Sequence, residues 1–214
     1  MKLKIIILGD AAVGKTVFIN KLSRDKFTNY YSPTIGAEVT PVNFRTNIGN
    51  VKLELWEISG DQKYSKFTDR FLSKADGCLI MFDLTNDTSY NNISLWIDKL
   101  KRFSVINREP LIPFIICGTK GDLCKNVDFG VNYEVISSKS FYNTRSPLLS
   151  LIRIIFTNKN IYSLSDVESD SGIPIFRESL ESEVELFIAS LRGNHPASER
   201  RNALIKSIRT IFPE

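Results

Sequence analysis

Residues 9 to 16 read GDAAVGKT and match the pattern G-x-x-x-x-G-K-[ST]. The motif lies between a continuous apolar run, residues 2 to 8, and a helical pattern that extends from about Gly14 to Ser23. In this context, backbone N–H groups at a helix N-terminus surround phosphate oxygens. An accidental glycine-rich turn is disfavoured by these flanking patterns. The sequence therefore predicts a phosphate-binding loop, whose members are Ala12, Val13, Gly14, Lys15, Thr16 and Val17. Lys15 would neutralise the β and γ phosphates, and the Thr16 hydroxyl would bind Mg²⁺.

Apolar runs and helical patterns alternate along the first three quarters of the chain. Two further runs, residues 77 to 83 and 111 to 118, are typical of buried parallel strands, and residues 88 to 103 between them have helical periodicity. Residues 38 to 46 and 51 to 57 alternate apolar and polar side chains around a turn, which predicts an antiparallel hairpin at a sheet edge. The order predicts an α/β fold with a mostly parallel sheet and helices on both faces.

Composition limits the class of protein. The 214-residue chain is 43% hydrophobic and 24% charged, which is typical of one globular domain with an appendage. Its net charge of +4 is not concentrated in a dense basic block, so we expect no nucleic-acid partner. The three cysteines, Cys78, Cys117 and Cys124, are odd in number, and two of them lie within apolar runs, which indicates a reducing intracellular compartment, cytoplasmic or nuclear.

Two motifs further along the chain indicate which base the site would read. Thr119, Lys120 and Asp122 directly follow a buried strand. A carboxylate at Asp122 can accept hydrogen bonds from the guanine N1–H and 2-amino groups, and the Lys120 stem can lie over the ring. Ser137, Ser138 and Lys139 end another short strand and would offer a backbone N–H to the guanine O6. Either motif alone could be a surface turn, but in order after a phosphate loop they reinforce each other.

These ordered motifs resemble the Ras superfamily of small GTPases over residues 1 to 157. Residues 35 to 47 and 140 to 143 are most similar to the Ran branch, and residues 82 to 85 resemble both Ran and Rab. Thr119 stands where most members have Asn, a feature that resembles the Rho branch. The resemblance implies a P-loop NTPase G domain with a six-stranded sheet. It also implies GTP or GDP and Mg²⁺ as ligands.

The resemblance assigns roles to further residues. Phe27 would pack edge-on to the guanine, Thr34 would bind Mg²⁺ and the γ-phosphate, and Gly60 would donate its N–H to that phosphate. The metal residues would be Thr16, Thr34 and Glu57. Effectors, exchange factors and activating proteins would contact two switch loops, residues 27 to 38 and 58 to 72.

The second switch departs from the family pattern W-D-T-A-G-Q-E. Asp61 stands where the water-orienting glutamine is expected; an ionised carboxylate cannot donate a hydrogen bond and repels the reacting phosphate. Ala11 crowds the same space, and the longer Glu57 should shift or weaken the link to Mg²⁺. The catalytic candidates are Lys15, Asp61 and Gln62, and we expect weak intrinsic hydrolysis. Alternatively, Gln62 moves into place and hydrolysis is ordinary.

Residues 158 to 214 are predicted to form a linker and a helical extension. Only about fifteen residues separate Asp122 from Ser137, so the helix that the family usually has there is expected to be shortened or missing. An amphipathic helix near residues 178 to 192 would cover that space; a flexible tail or a helix packed elsewhere is the alternative. The basic stretch at residues 198 to 212 is expected to pack on its own domain rather than on a membrane. No cysteine lies near Glu214, so we expect no prenyl anchor, and the protein is expected to be a monomer.

The motifs together predict a GTP/GDP switch in intracellular transport or trafficking with slow hydrolysis. A hydrolysis-deficient, GTP-bound module that recruits effectors without cycling is the alternative. A small-metabolite kinase with a P-loop is disfavoured by Asp122.

Overall fold

The computed structural model describes residues 1–24, 34–61, 68–123, 133–157 and 160–162. Its elements are, in chain order, β1 (Lys2–Leu8), α1 (Lys15–Arg24), β2 (Ala37–Thr46), β3 (Gly49–Ile58), α2 (Thr68–Leu72), β4 (Gly77–Asp83), α3 (Asp87–Asn91), α4 (Ile93–Asn107), β5 (Phe114–Thr119), β6 (Glu134–Val135) and α5 (Ser146–Ile155).

The strands form one six-stranded sheet in the order β2-β3-β1-β4-β5-β6. β2 and β3 pair in antiparallel register, and the other neighbouring strands pair in parallel. The predicted mostly parallel sheet with an antiparallel edge hairpin is therefore confirmed. A parallel order with helical crossovers brings the carboxyl ends of the central strands to one edge, where ligands of such folds bind.

The core has two layers, one on each face of the sheet. Every residue of β4 is buried, as expected for a strand covered on both sides. On one face, Phe18 of α1 and Leu151 of α5 pack against alternate residues of the central strands. On the other, Phe82 of β4 packs with Leu100 of α4. Apolar burial on both faces stabilises the sheet and fixes the positions of its loops.

Two element boundaries differ from the prediction. The helix expected at residues 88 to 103 begins at Asp87, after the Asn86 cap, and is divided into α3 and α4 at Asn92, whose backbone angles stay helical. The strand expected at 111 to 118 begins only at Phe114, directly after Pro113, whose nitrogen has no hydrogen to donate to a sheet. The shortened connection at residues 124–132 and the helix predicted at 178–192 lie outside the described residues. Within the described part of the chain, no helix is long and apolar enough to cross a membrane.

Candidate functional site

The candidate site lies where the carboxyl ends of β1, β4 and β5 lie side by side. Thr119, at the end of β5, connects the loop after β1 with the end of β4. Its Oγ1 lies 2.6 Å from the Val13 carbonyl oxygen and 2.9 Å from the Phe82 carbonyl oxygen. A hydroxyl has one proton, so it donates to one carbonyl at a time. Thr119 thus tethers the phosphate loop to the strands beside it.

The phosphate loop at residues 9–14 has the tight geometry that its glycine pattern predicts. Gly9 has φ +140°, and a Cβ there would lie 2.1 Å from the Met81 carbonyl oxygen, so only glycine fits. Ala12 adopts φ 62°, a left-handed conformation that turns its backbone N–H away from the regular direction. Val13 is buried beneath the loop, and Gly14 leads directly into α1. The loop therefore leads into a helix N-terminus, as an anion site requires.

Lys15, the first residue of α1, extends its side chain back to this loop and is only 5% exposed. Its Nζ donates to the carbonyl oxygens of Gly9, at 2.8 Å, and Asp10, at 2.7 Å. Burial lowers the pKa of Lys15 to about 8, although the nearby charges of Glu57 and Asp10 act to raise it. A buried ammonium held by neutral carbonyls gains much from an anionic ligand, which is consistent with phosphate binding.

Three oxygen-bearing side chains meet beside the loop. The Thr16 hydroxyl donates to Glu57 Oε1 at 2.6 Å, and the Thr34 hydroxyl donates to the same oxygen at 3.0 Å. The two hydroxyl oxygens are 3.3 Å apart, and Glu57 is buried. Hydroxyl and carboxylate oxygens are the ligands that Mg²⁺ prefers, so this set fits a magnesium ion shared with phosphates. The structure thus brings the three predicted metal residues together.

The residues predicted to recognise the base lie further along the same edge, beyond β5. Ser137 Oγ donates to Asp122 Oδ1 at 2.6 Å, and Lys139 Nζ lies 4.0 Å from Asp122 Oδ2. The Gly121 N–H donates to the Ile136 carbonyl oxygen at 3.0 Å, which connects the two loops through the backbone. Ser138 follows Ser137 in this second loop. The hydrogen bond holds the Asp122 carboxylate in one orientation, as selective recognition of a base edge requires.

Lys120 makes a contact that sequence reasoning missed. Its Nζ donates to Asp83 Oδ2 at 2.5 Å. Burial alone would raise the pKa of Asp83, but hydrogen bonds from Lys120 and Thr85 outweigh burial and hold that pKa below its usual value. The available signal was a carboxylate at the end of a buried strand, next to the strand that leads to Lys120. Asp83 fixes the Lys120 head group, so that the lysine stem lies across this edge.

The start of the second switch rests directly on the phosphate loop. A Cβ on Gly60 would lie 2.3 Å from the Ala11 nitrogen and the Asp10 carbonyl carbon, so this close approach requires glycine. The next residue, Asp61, donates its N–H to Ser59 Oγ at 3.3 Å. Asp61 therefore follows immediately on a backbone that touches the phosphate loop.

Two predicted residues, Phe27 and Gln62, lie outside the described residues. Val17 lies in the first turn of α1, directly after Thr16. The remaining predicted residues lie along the loop edge of the sheet. There the structure brings the residues predicted to bind phosphate, metal and base to the ends of neighbouring elements.

A strand, a glycine-rich loop with the P-loop pattern and a helix, at the carboxyl edge of a mostly parallel sheet, define the α/β fold of a P-loop protein. The model of the Ras family matches residues 4–145, more than half of the chain, and the chain belongs to that family. It is therefore a small GTPase in the general sense of the Ras family. Ras-family proteins in general bind guanine nucleotides and Mg²⁺, switch between nucleotide states, hydrolyse GTP, and interact with regulators and effectors.

Proposed function

We propose that this Ras-family protein is a GTP/GDP switch in intracellular transport or trafficking, with weak intrinsic hydrolysis. In this proposal the residues of the phosphate loop bind the β and γ phosphates, and Thr16, Thr34 and Glu57 hold Mg²⁺. Asp122, with Lys120 and the loop at 137–139, reads guanine. The single observation that carries the proposal is the position of Asp61, directly after the glycine that lies against the phosphate loop.

The negative charge of Asp61 would oppose hydrolysis. GTP hydrolysis gathers negative charge on the transferred phosphate, and a group that orients water should donate a hydrogen bond to it. An ionised carboxylate offers no donor. At about 6 Å and an effective dielectric near 20, repulsion between the two charges costs on the order of 3 kcal/mol. If this repulsion is fully felt in the transition state, hydrolysis slows by roughly a hundredfold.

Single-turnover hydrolysis of GTP at saturating Mg²⁺ tests this argument. Asp61→Asn removes the charge at nearly constant size, and Asp61→Gln also restores the longer amide. We expect Asp61→Asn to accelerate hydrolysis and Asp61→Gln to accelerate it further, by up to about a hundredfold. Asp69→Asn is the matched control, since this exposed carboxylate lies on α2. Equal rates for wild type and Asp61→Gln would show that the carboxylate does not limit hydrolysis.

A second candidate function is a GTP-bound module that recruits effectors without cycling. Glu57 favours it, because one carboxylate oxygen joins Thr34 of the first switch to Thr16 of the phosphate loop. Such protein contacts would add to those of the γ-phosphate in holding the first switch on the loop, the arrangement that effectors would recognise. The nucleotide that copurifies with the protein distinguishes the candidates: GDP indicates a working cycle, and retained GTP indicates the module.

Partner binding would use the surface formed by the first switch and the edge hairpin. Ile35 is 78% exposed, and Val39 is also exposed, opposite Trp56 in the β2–β3 register. Phe71 of α2 packs against the Trp56 ring, with their centroids 6.3 Å apart. An apolar patch that joins both switches suits effectors and regulators that recognise nucleotide state. Nucleotide-dependent capture of partners, lost in Val39→Asp, would support this surface.

The same proposal includes four further parts. The protein belongs to a Ran-like or Rab-like branch, lies inside the cell in the cytoplasm or nucleus, and is a monomer. Residues 158–214 form a linker and a helical extension. Residues 35–47 and 140–143 support the Ran-like assignment. Imaging of the tagged protein, with and without residues 163–214, tests location and the role of the extension together.

A further inference from the structure

The second residue of the phosphate loop, Asp10, has a side chain that the proposed binding roles do not use. Its two carboxylate oxygens each accept a hydrogen bond from α4 or from the residue before it. Asn92 Nδ2 donates to Oδ2 at 2.7 Å, and the Trp96 indole Nε1–H donates to Oδ1 at 2.9 Å. Both donors are more than 80 residues away along the chain.

The spacing of the two donors explains how one carboxylate reaches both. Residues four apart in a helix lie on the same face, so Asn92 and Trp96 face the loop together. Asn92 also occupies the N-cap position of α4, where asparagine is among the preferred residues, yet its side chain makes no capping hydrogen bond. The Asn86 side chain, by contrast, caps α3 in the ordinary way. The backbone of Asn92 is itself helical, a conformation from which a side chain does not cap, so the Asn92 amide reaches Asp10 without loss of a cap.

Asp10 is also bound through its backbone. Its carbonyl oxygen accepts a hydrogen bond from Lys15 Nζ at 2.7 Å, and its carbonyl carbon is the close neighbour of Gly60. One residue thus contacts α4 through its side chain, and the phosphate-binding lysine and the second switch through its backbone. Movement of Asp10 would displace Lys15 and the support beneath Gly60 together.

We infer that Asp10 is a positioning residue, which Asn92 and Trp96 hold against α4 so that the phosphate loop keeps the shape that retains a nucleoside di- or triphosphate. The inference rests on nucleotide binding at residues 9–16. It makes the residence time of the nucleotide depend on two neutral donors outside the phosphate loop. Simple packing of the Trp96 ring is the competing explanation, and it does not require the indole N–H.

Release of a fluorescent GDP analogue in excess Mg²⁺ is the first measurement. Trp96→Phe keeps an aromatic ring and removes the N–H, and Asn92→Ala removes the amide. A hydrogen bond to a charged group suggests that each substitution accelerates release about five- to tenfold. Asn92→Gln keeps an amide donor and should recover part of the wild-type residence time. Leu95→Ala is the matched control, because Leu95 lies between the two donors on the chain and is 57% exposed; its release rate should equal that of wild type.

A double-mutant cycle then separates positioning from packing. In an Asp10→Ala background both acceptor oxygens are gone, so Trp96→Phe and Asn92→Ala should each change release much less than in wild type. Equal effects in the two backgrounds would overturn the inference. So would wild-type release rates for both donor variants. If Trp96→Phe does not fold, the cycle of Asn92→Ala with Asp10→Ala decides the question alone.

The indole N–H signals supply a readout that packing would not change. The chain has two tryptophans, and Trp56 Nε1 has no hydrogen-bond partner in the described structure. Asp10→Asn should therefore shift the Trp96 indole signal in a ¹H–¹⁵N spectrum and leave the Trp56 signal in place. An unmoved Trp96 signal would overturn the inference. A wild-type chain that binds no GDP at all would overturn nucleotide binding as well, whereas tight binding with unchanged release overturns only the role of Asp10.

Discussion

The buried ammonium of Lys15 predicts that nucleotide binding depends on pH above neutrality. Burial lowers the pKa of Lys15 in the free protein to about 8, and the charges of Glu57 and Asp10 only partly oppose this. Phosphate oxygens favour the charged ammonium, so binding raises this pKa and the complex takes up a proton. The affinity is therefore complete below the pKa of the free protein and is lost as pH rises through it.

The magnitude follows from that pKa. With a pKa of about 8, roughly three quarters of free Lys15 is charged at pH 7.5 and roughly one quarter at pH 8.5. GDP should therefore bind about threefold more weakly at pH 8.5 than at pH 7.5. Near pH 8, about half a proton should be taken up for each GDP bound.

Titration calorimetry of GDP with excess Mg²⁺, in two buffers of different ionisation enthalpy, measures both quantities. Lys4→Met is the matched control, because burial also lowers the pKa of Lys4, which lies near the amino end of β1. This variant should take up as many protons as wild type. A constant affinity between the two pH values, with uptake below about a tenth of a proton, would refute the role given to Lys15.

Three further predictions concern base recognition, the core and the extension. Asp122→Ala should abolish the preference for guanine over adenine nucleotides. Ser137→Ala removes the hydrogen bond that orients Asp122 together with the acceptor of the Ser140 N–H, and it should weaken GDP binding about tenfold, as competitive binding assays would measure. Phe18→Ala should lower the free energy of unfolding by about 3–5 kcal/mol, because Phe18 is fully buried. Val105 is exposed, so Val105→Ala should change that free energy by less than about 0.5 kcal/mol; chemical denaturation measures both. Truncation after Tyr162, which keeps the buried Ile161, should lower the midpoint of thermal unfolding if the extension covers the sheet, and an unchanged midpoint would exclude that cover.

Sequence reasoning located the parts of the site that depend on neighbouring residues. Apolar runs identified β1 and β4, because strands buried on both faces tolerate few polar side chains. The phosphate loop was recognised because its glycines and Lys15 lie within eight consecutive residues. Alternating side chains likewise predicted the β2–β3 hairpin and its antiparallel pairing.

The contacts that were missed join residues far apart in the chain. Lys120 and Asp83 are 37 residues apart, and Trp96 and Asp10 are 86 apart. Each pair meets only after the sheet order places β5 beside β4 and α4 beside the phosphate loop. No local pattern specifies which polar side chains then face each other. The division at Asn92 was missed because Asn92 keeps helical backbone angles, so the helical pattern continues through it without a stop signal.

The most direct test of the central claim is a comparison of GDP and ADP affinities for the wild-type chain and Asp122→Ala, each in excess Mg²⁺. The account predicts that wild type binds GDP far more tightly than ADP, because the carboxylate oriented by Ser137 accepts hydrogen bonds that adenine cannot donate. Asp122→Ala should lose that difference while its phosphate loop still binds both nucleotides. Equal affinities of wild type for GDP and ADP would contradict the account.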